Sequence, residues 1–406
     1  MDKLHRVIGP KGLALYGIGV TLGAGIYALV GEMAGVAGLY APLAFLLAGC
    51  LAGLTGISYA ELGSRFPESA GEAAYVAYGF RKRSLTAIAG YGVVLSGSVS
   101  AAVVLHGFAG YVSELATIPA ALSITGALVV LAGVAIWGVR QSIWLAATIT
   151  VIEVVGLLVI IVVAAPDALA AAPPAPVDTV IPWSGIFLAS VMAFFAFIGF
   201  EDIANMAEEV KHPSTTLPRA ILITLVVSTL LYIAVSWVAV RAMPPELLAQ
   251  EGGPLAAVFE RATGRSGAVI AWIALLAMVN GALVQIVMAS RVLYGLANRE
   301  LAPAWLGAIN PGRKTPARAT LVATAVIAIL ALSGALGMLA VAASTVTLLV
   351  FVMVNAALLS LRLRLDQDPD PDGFRAPIWV PALGLVASLA VAIGAIVMVS
   401  QAPMSP

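Results

Sequence analysis

The chain is poor in charge and nearly without cysteine. Only 10% of its 406 residues are Asp, Glu, Lys or Arg, against about 25% in soluble domains. Hydrophobic residues make up 61% and the mean hydropathy is +1.03. No water-soluble core holds that much apolar surface, so the solvent is lipid. The 21 basic and 21 acidic side chains cancel, which removes the electrostatic case for a nucleic-acid partner. The single cysteine, Cys50, excludes an internal disulfide and reads as a buried, inert thiol in an apolar run. Metal-ligand spacing, a catalytic triad and the GK[ST] of a phosphate loop are also missing. No cofactor, metal or enzymatic activity is expected. Without a soluble domain to bind ATP, any transport must run on gradients or exchange.

What the chain has is long apolar runs. A membrane-spanning helix needs roughly 20 apolar residues. Eleven segments qualify: 13–33, 41–63, 85–109, 119–138, 142–165, 184–204, 218–240, 267–292, 317–335, 338–361 and 377–399. The start, MDKLHRVIGPKG, imitates a secretory signal, but the run after it is too long for one and reads as an uncleaved first span. With the N-terminus in the cytoplasm, 18 of the 21 basic residues fall inside and only Arg241, Arg261 and Arg265 outside. The positive-inside rule therefore sets that orientation. Segment 166–183, rich in proline and lacking Lys and Arg, reads as an extended outer connector. Segment 65–84 suggests a short helix on the cytoplasmic surface, and 366–374 a polar cytoplasmic loop.

Two spans are interrupted. The first contains GIGVTLGAGIYALVG, with Gly23-Ala24-Gly25 at mid-membrane. Helix packing through small residues would explain that stretch alone. The sixth, however, carries its own interruption, Ile198-Gly199-Phe200-Glu201, followed by Asp202. Corresponding breaks in two halves of a membrane protein point to a transporter site at a repeat interface. A break leaves free amides on one half-helix and free carbonyls on the other. Amides at Gly23, Ala24 and Gly25 suit a carboxylate. Carbonyls at Phe195, Ala196 and Ile198 suit an ammonium, so the pair of breaks suits an α-amino acid. The surrounding side chains are apolar, among them Ile26, Tyr27, Phe194, Phe195, Phe197 and Phe200, and neither break carries Lys or Arg. That favours a neutral substrate.

Four blocks resemble the amino acid–polyamine–organocation (APC) superfamily: the first-helix glycine motif just quoted, SYAELGSRFPESAGEAAYVAYGF at 58–80, FFAFIGFEDIANMAEEVKHPSTTLPRAI at 194–221, and ASRVLYGLANRELAPAWLGAINPGRKTPARA at 289–319. The resemblance implies an all-α polytopic membrane protein with a five-plus-five inverted repeat (LeuT-type), broken helices 1 and 6, and alternating access. It implies repeats over 1–165 and 184–362, joined by 166–183, with a cytoplasmic loop and an eleventh helix over 363–406. It places the substrate carboxylate on the backbone of Gly23, Ala24 and Gly25 and the amino group on Phe195, Ala196 and Ile198, with Phe195 or Phe200 as an outer aromatic gate. The chain departs from the pattern in two ways. It stops at eleven helices where many members have twelve. It also carries Glu153 in TVIEVVGLL, where many sodium-independent members have a lysine.

Intramembrane acids are costly and mark function by default. Glu153 has two readings, a proton-coupling group or a protonated glutamate bonded to nearby backbone; coupling is the expectation. Glu201 either couples or supports the break. Asn280, Gln285 and Ser290 either face a cation region beside Glu153 or bond across helices. His106 reads as a packed polar residue, Glu32 and Glu61 as helix-end groups that face water or serve an interface, and Glu208, Glu209 and Lys211 as a solvated turn. The whole points to a secondary transporter of neutral amino acids in the bacterial cytoplasmic membrane, coupled to protons or working by exchange. The partners are an amino acid and the lipid bilayer. An exporter, an amine permease and a non-transporting receptor or scaffold are the rivals.

Overall fold

A computed structural model describes residues 8–67, 71–137, 143–171, 181–207, 210–310, 313, 315–364 and 373–401. Glu208, Glu209 and most of the 366–374 loop fall outside them, as do the middle of the 166–183 connector and the side chain of Ala24. The described residues form an all-α polytopic membrane protein. Its helices are α1 (Pro10–Ala37), α2 (Ala41–Arg65), α3 (Gly71–Phe80), α4 (Arg83–Ser113), α5 (Ala120–Trp137), α6 (Ile143–Ala170), α7 (Trp183–Phe195), α8 (Asp202–Asn205), α9 (Pro213–Ala242), α10 (Pro245–Leu248), α11 (Pro254–Thr263), α12 (Ala268–Asn298), α13 (Ala317–Ser333), α14 (Leu336–Leu363) and α15 (Trp379–Gln401).

Each of the eleven expected spans meets one of these helices, the sixth being split between α7 and α8. Eight continuous stretches are long and apolar enough to cross a membrane, the first taking in α1 and α2 together; α7 and α13 are apolar but shorter. The spans carry large apolar side chains on their outer faces, such as Leu122, Val129, Val162, Trp272 and Ile329. In water this would be a liability; in lipid it is the solvated surface.

The spans pack in a regular order. α1 lies against α7, α2 against α9, and α4 against α12. In the numbering of spans, the first thus meets the sixth, the second the seventh and the third the eighth. A short parallel bridge, Ile8 to Val210, ties the entry of α1 to the segment after α8, and the Lys211 amide donates to the Ile8 carbonyl at 2.9 Å.

Three expectations need correction. Cys50 is exposed, because its face of α2 points away from the protein, and an apolar run only says that the surroundings are apolar, whether protein or lipid. Helix α3 exists but is not a surface helix: Glu72, Ala74, Tyr75 and Val76 are buried, since α4 and α14 close over it. The 166–183 connector is shorter than expected, as α6 continues through Pro166 to Ala170. Arg241 secures that extension by donating to the Ala168 and Ala171 carbonyls, where a helix end leaves acceptors and a negative dipole. Between the seventh and eighth spans α10 and α11 fold, α11 ending on Gly264 in the left-handed conformation.

Candidate substrate site at two helix breaks

Helix α1 is broken at Gly23, whose φ of −9° and ψ of −132° interrupt helical residues on both sides. A Cβ placed on Gly23 would meet nothing within 4 Å, so this side of the break borders open space. A Cβ on Gly25 would lie 2.5 Å from the Cα of Ala196. The first break therefore rests directly on the second, and only a residue without a side chain permits that approach.

The second break begins earlier than its glycine. Helix α7 ends at Phe195. The amides of Ala196, Phe197 and Ile198 then turn back to the carbonyls of Ala193, Phe194 and Phe195, each at 3.0 Å. Gly199 follows at φ +123°, a conformation that side chains resist. A Cβ there would also come within 3.0 Å of the Val20 carbonyl. The Gly199 amide, which the turn leaves free, donates to Glu201 Oε2 at 2.8 Å. Glu201 thus supports the broken backbone, one of its two expected roles, while remaining buried.

Sequence reasoning missed Tyr232. Its hydroxyl, in the middle of α9, lies 2.6 Å from the Thr21 carbonyl and 2.7 Å from the Ala196 carbonyl. One phenolic proton is thereby shared between the two broken helices. A tyrosine in the middle of an apolar span is the available signal, because a buried phenol needs a partner. A second tyrosine relay joins α11 to α6. The Leu255 amide donates to Tyr111 Oη at 3.3 Å, the Tyr111 hydroxyl to the Tyr27 carbonyl at 3.1 Å, and the Tyr27 hydroxyl to the Glu153 carbonyl at 3.1 Å.

The expected ammonium acceptors are partly engaged. The Phe195 carbonyl accepts from the Ile198 amide and the Ala196 carbonyl from Tyr232, which leaves each a second lone pair. Ile26, Phe195, Ala196, Ile198 and Phe200 are all buried. Phe200 packs edge-on against Tyr59 and Phe351, with ring centroids 5.7 and 5.5 Å away. This is towards the α3 end of α2, one turn beyond the break.

The acids separate sharply. Glu153 on α6 is fully buried, and neither carboxylate oxygen has a hydrogen-bond partner among the described residues. Glu61 does not face water; it is also fully buried and serves an interface, as developed below. Glu72 on α3 accepts from the Tyr59 hydroxyl at 3.1 Å. Burial pushes its carboxyl above the usual range, an effect that its backbone and Tyr59 hydrogen bonds offset in part. Ser290 on α12 is buried, and its hydroxyl donates to the Val287 carbonyl of its own helix.

Two touching backbone breaks in a polytopic helical protein define a membrane transporter of small solutes rather than a channel lined by side chains. The comparisons agree. An amino acid permease profile matches residues 8–405. An uncharacterised transporter of Mycobacterium tuberculosis is 31% identical over 83% of this chain and 77% of its own. The branched-chain amino acid permease BcaP of Bacillus subtilis is 29% identical over 78% of this chain and 72% of its own. The chloroplastic cationic amino acid transporter 9 of Arabidopsis thaliana is 30% identical over 76% and 58%. The chain belongs to the amino acid permease family, within the APC superfamily.

Proposed function

We propose that the chain carries neutral amino acids by alternating access about the two breaks, with Glu153 coupling the cycle to protons. The contact of Gly25 with Ala196 is the observation that carries the site. It brings amides after one break beside carbonyls before the other, as a zwitterion requires. The carboxylate takes the backbone of Gly23, Ala24 and Gly25; the ammonium takes Phe195, Ala196 and Ile198. Ile26 and the phenylalanines supply an apolar lining, and Phe195, at the end of α7, is the outer gate. Phe200, packed towards α3, belongs to the inner side. The relatives' names point to branched-chain and to cationic amino acids, and the apolar lining favours the first.

Glu153 supports the coupling assignment by being buried without a hydrogen-bond partner among the described residues. Such a carboxyl changes charge readily when water or a cation reaches it. Glu201 assists at the break, and Ser290 lines the cation region on α12. The halves 1–165 and 184–362 act as the two repeats, in keeping with the pairing of α1 with α7, α2 with α9 and α4 with α12. The basic-residue asymmetry puts the N-terminus in the cytoplasm. The same buried acid also favours a second reading, an amine permease in which Glu153 pairs with the substrate cation.

The test is uptake of a labelled panel of amino acids and amines into proteoliposomes, with and without an inward proton gradient. Gradient-stimulated uptake of neutral amino acids that Glu153→Gln loses is the expected result. Uptake that requires only internal amino acid and is unchanged in Glu153→Gln identifies an exchanger and makes Glu153 structural. Uptake of amines alone, lost in Glu153→Gln, selects the second reading. No flux of any substrate leaves a receptor or scaffold.

A further inference from the structure

A small cavity borders the second break. Glu201 and Ile198 line it from the break, Glu72 from α3, and Ser96 and Thr347 from α4 and α14. Its volume is about 20 Å³, enough for about one water molecule. The Ser96 and Thr347 hydroxyls hydrogen-bond to each other on its wall. No basic side chain lines it among the described residues. Two carboxyl groups therefore border a space for one water with no cation to balance them. Like charges bordering one small space resist double ionisation.

We infer that Glu72 and Glu201 form a single proton-binding site, a shared carboxyl pair that bridges α3 to the second helix break across one water. Glu72 is the new member. Glu201 Oε2 is fixed by the Gly199 amide and Glu72 Oε1 by the Tyr59 hydroxyl, so each carboxyl is held by its own donor. The titratable groups around the pair are Tyr59 of α2, Tyr75 of α3, which packs edge-on against Tyr59, and Asp202 at the start of α8. The contributions of α4, α12 and α14 (Val93, Ser96, Met288, Thr347, Val350 and Phe351) are not ionisable. With its proton, the pair lets the break sit against α3. When the proton leaves to water, two negative charges face each other and the break is pushed from α3. This is a second proton site, separate from Glu153, and its role in transport rests on the transporter reading above.

The experiment is a pH titration of the reconstituted full-length protein by infrared spectroscopy, reading the carbonyl band of protonated carboxyl groups. It requires no transport, so its failure is distinct from failure of the transporter reading. The expected result is one titrating band lost in Glu72→Gln, lost equally in Glu201→Gln, and no further reduced in the double variant, while Glu153→Gln leaves it in place. Glutamine retains an acceptor for Tyr59 and for Gly199. Ser96→Ala, which touches neither carboxyl's fixed oxygen, should shift the band without removing it. Separate, additive losses from Glu72→Gln and Glu201→Gln, or no loss from Glu72→Gln, overturn the shared site. A band that disappears on replacing choline with sodium at fixed pH also overturns it, because the cavity then takes a metal cation. In liposomes, Glu72→Gln should shift the pH profile of uptake with little change at saturating proton concentration; an unshifted profile in an active variant removes the pair from the transport cycle.

Discussion

Glu61 and Glu153 are both fully buried in transmembrane helices, and they live in opposite circumstances. Glu61 accepts from Arg65 at 3.0 Å, from Arg362 through both oxygens, and from the Ala376 amide at 2.9 Å. It ties α2 to α14 and to the segment leading into α15. Glu153 has no such partner among the described residues. A buried charge is retained for structure when its partners repay desolvation, and the cost of breaking such a set is large. A buried acid without partners gives the fold nothing of that kind, so its presence asks for a ligand or a proton. Similar burial thus hides two different jobs, and the hydrogen bonds separate them.

The largest expected effect tests the structural side. Glu61→Ala strands two arginines and should destabilise the protein by about 3–5 kcal/mol, read as a lower melting temperature in detergent; an unchanged melting temperature breaks the comparison. Gly25→Val is next. It drives a side chain into Ala196 and should abolish substrate binding while the protein still inserts, whereas Gly23→Ala, with free space beside it, should weaken binding less. Normal binding by Gly25→Val would sink the site assignment.

Glu153→Gln sharpens the functional side. Its melting temperature should match wild type or exceed it, and its uptake should lose dependence on external pH. A fall in melting temperature as large as that of Glu61→Ala would make Glu153 structural too. Gly199→Ala should destabilise by about 1–3 kcal/mol, because φ is positive there, and binding should weaken with it. Tyr232→Phe has the smallest expected effect on stability, about 1 kcal/mol for the lost hydrogen bond. Its signature is a raised apparent substrate dissociation constant, since the two breaks lose their common tie; equal affinity in the variant would confine Tyr232 to packing.

The spans were legible because each rests on local composition: about 20 apolar residues form a helix in lipid, as no other structure satisfies the backbone there. The breaks were legible as glycines and acids in mid-span, yet their bounds were not. The second break opens at Ala196, three residues before Gly199, because its first turns are set by contact with α1 rather than by the glycine. Cys50 and α3 were misjudged for one reason. Hydropathy states that a residue avoids water but not whether protein or lipid covers it.

The sequence by itself determined the lipid solvent, the number and order of the spans, and the two interruptions, since these follow from runs of adjacent residues. Only the tertiary structure decided that Gly25 touches Ala196, that Tyr232 joins the two breaks, that Glu61 is saturated while Glu153 has no hydrogen-bond partner among the described residues, and that Glu72 shares a cavity with Glu201. Those facts join residues up to some three hundred positions apart, and their pairing depends on how whole helices pack, which no local pattern encodes.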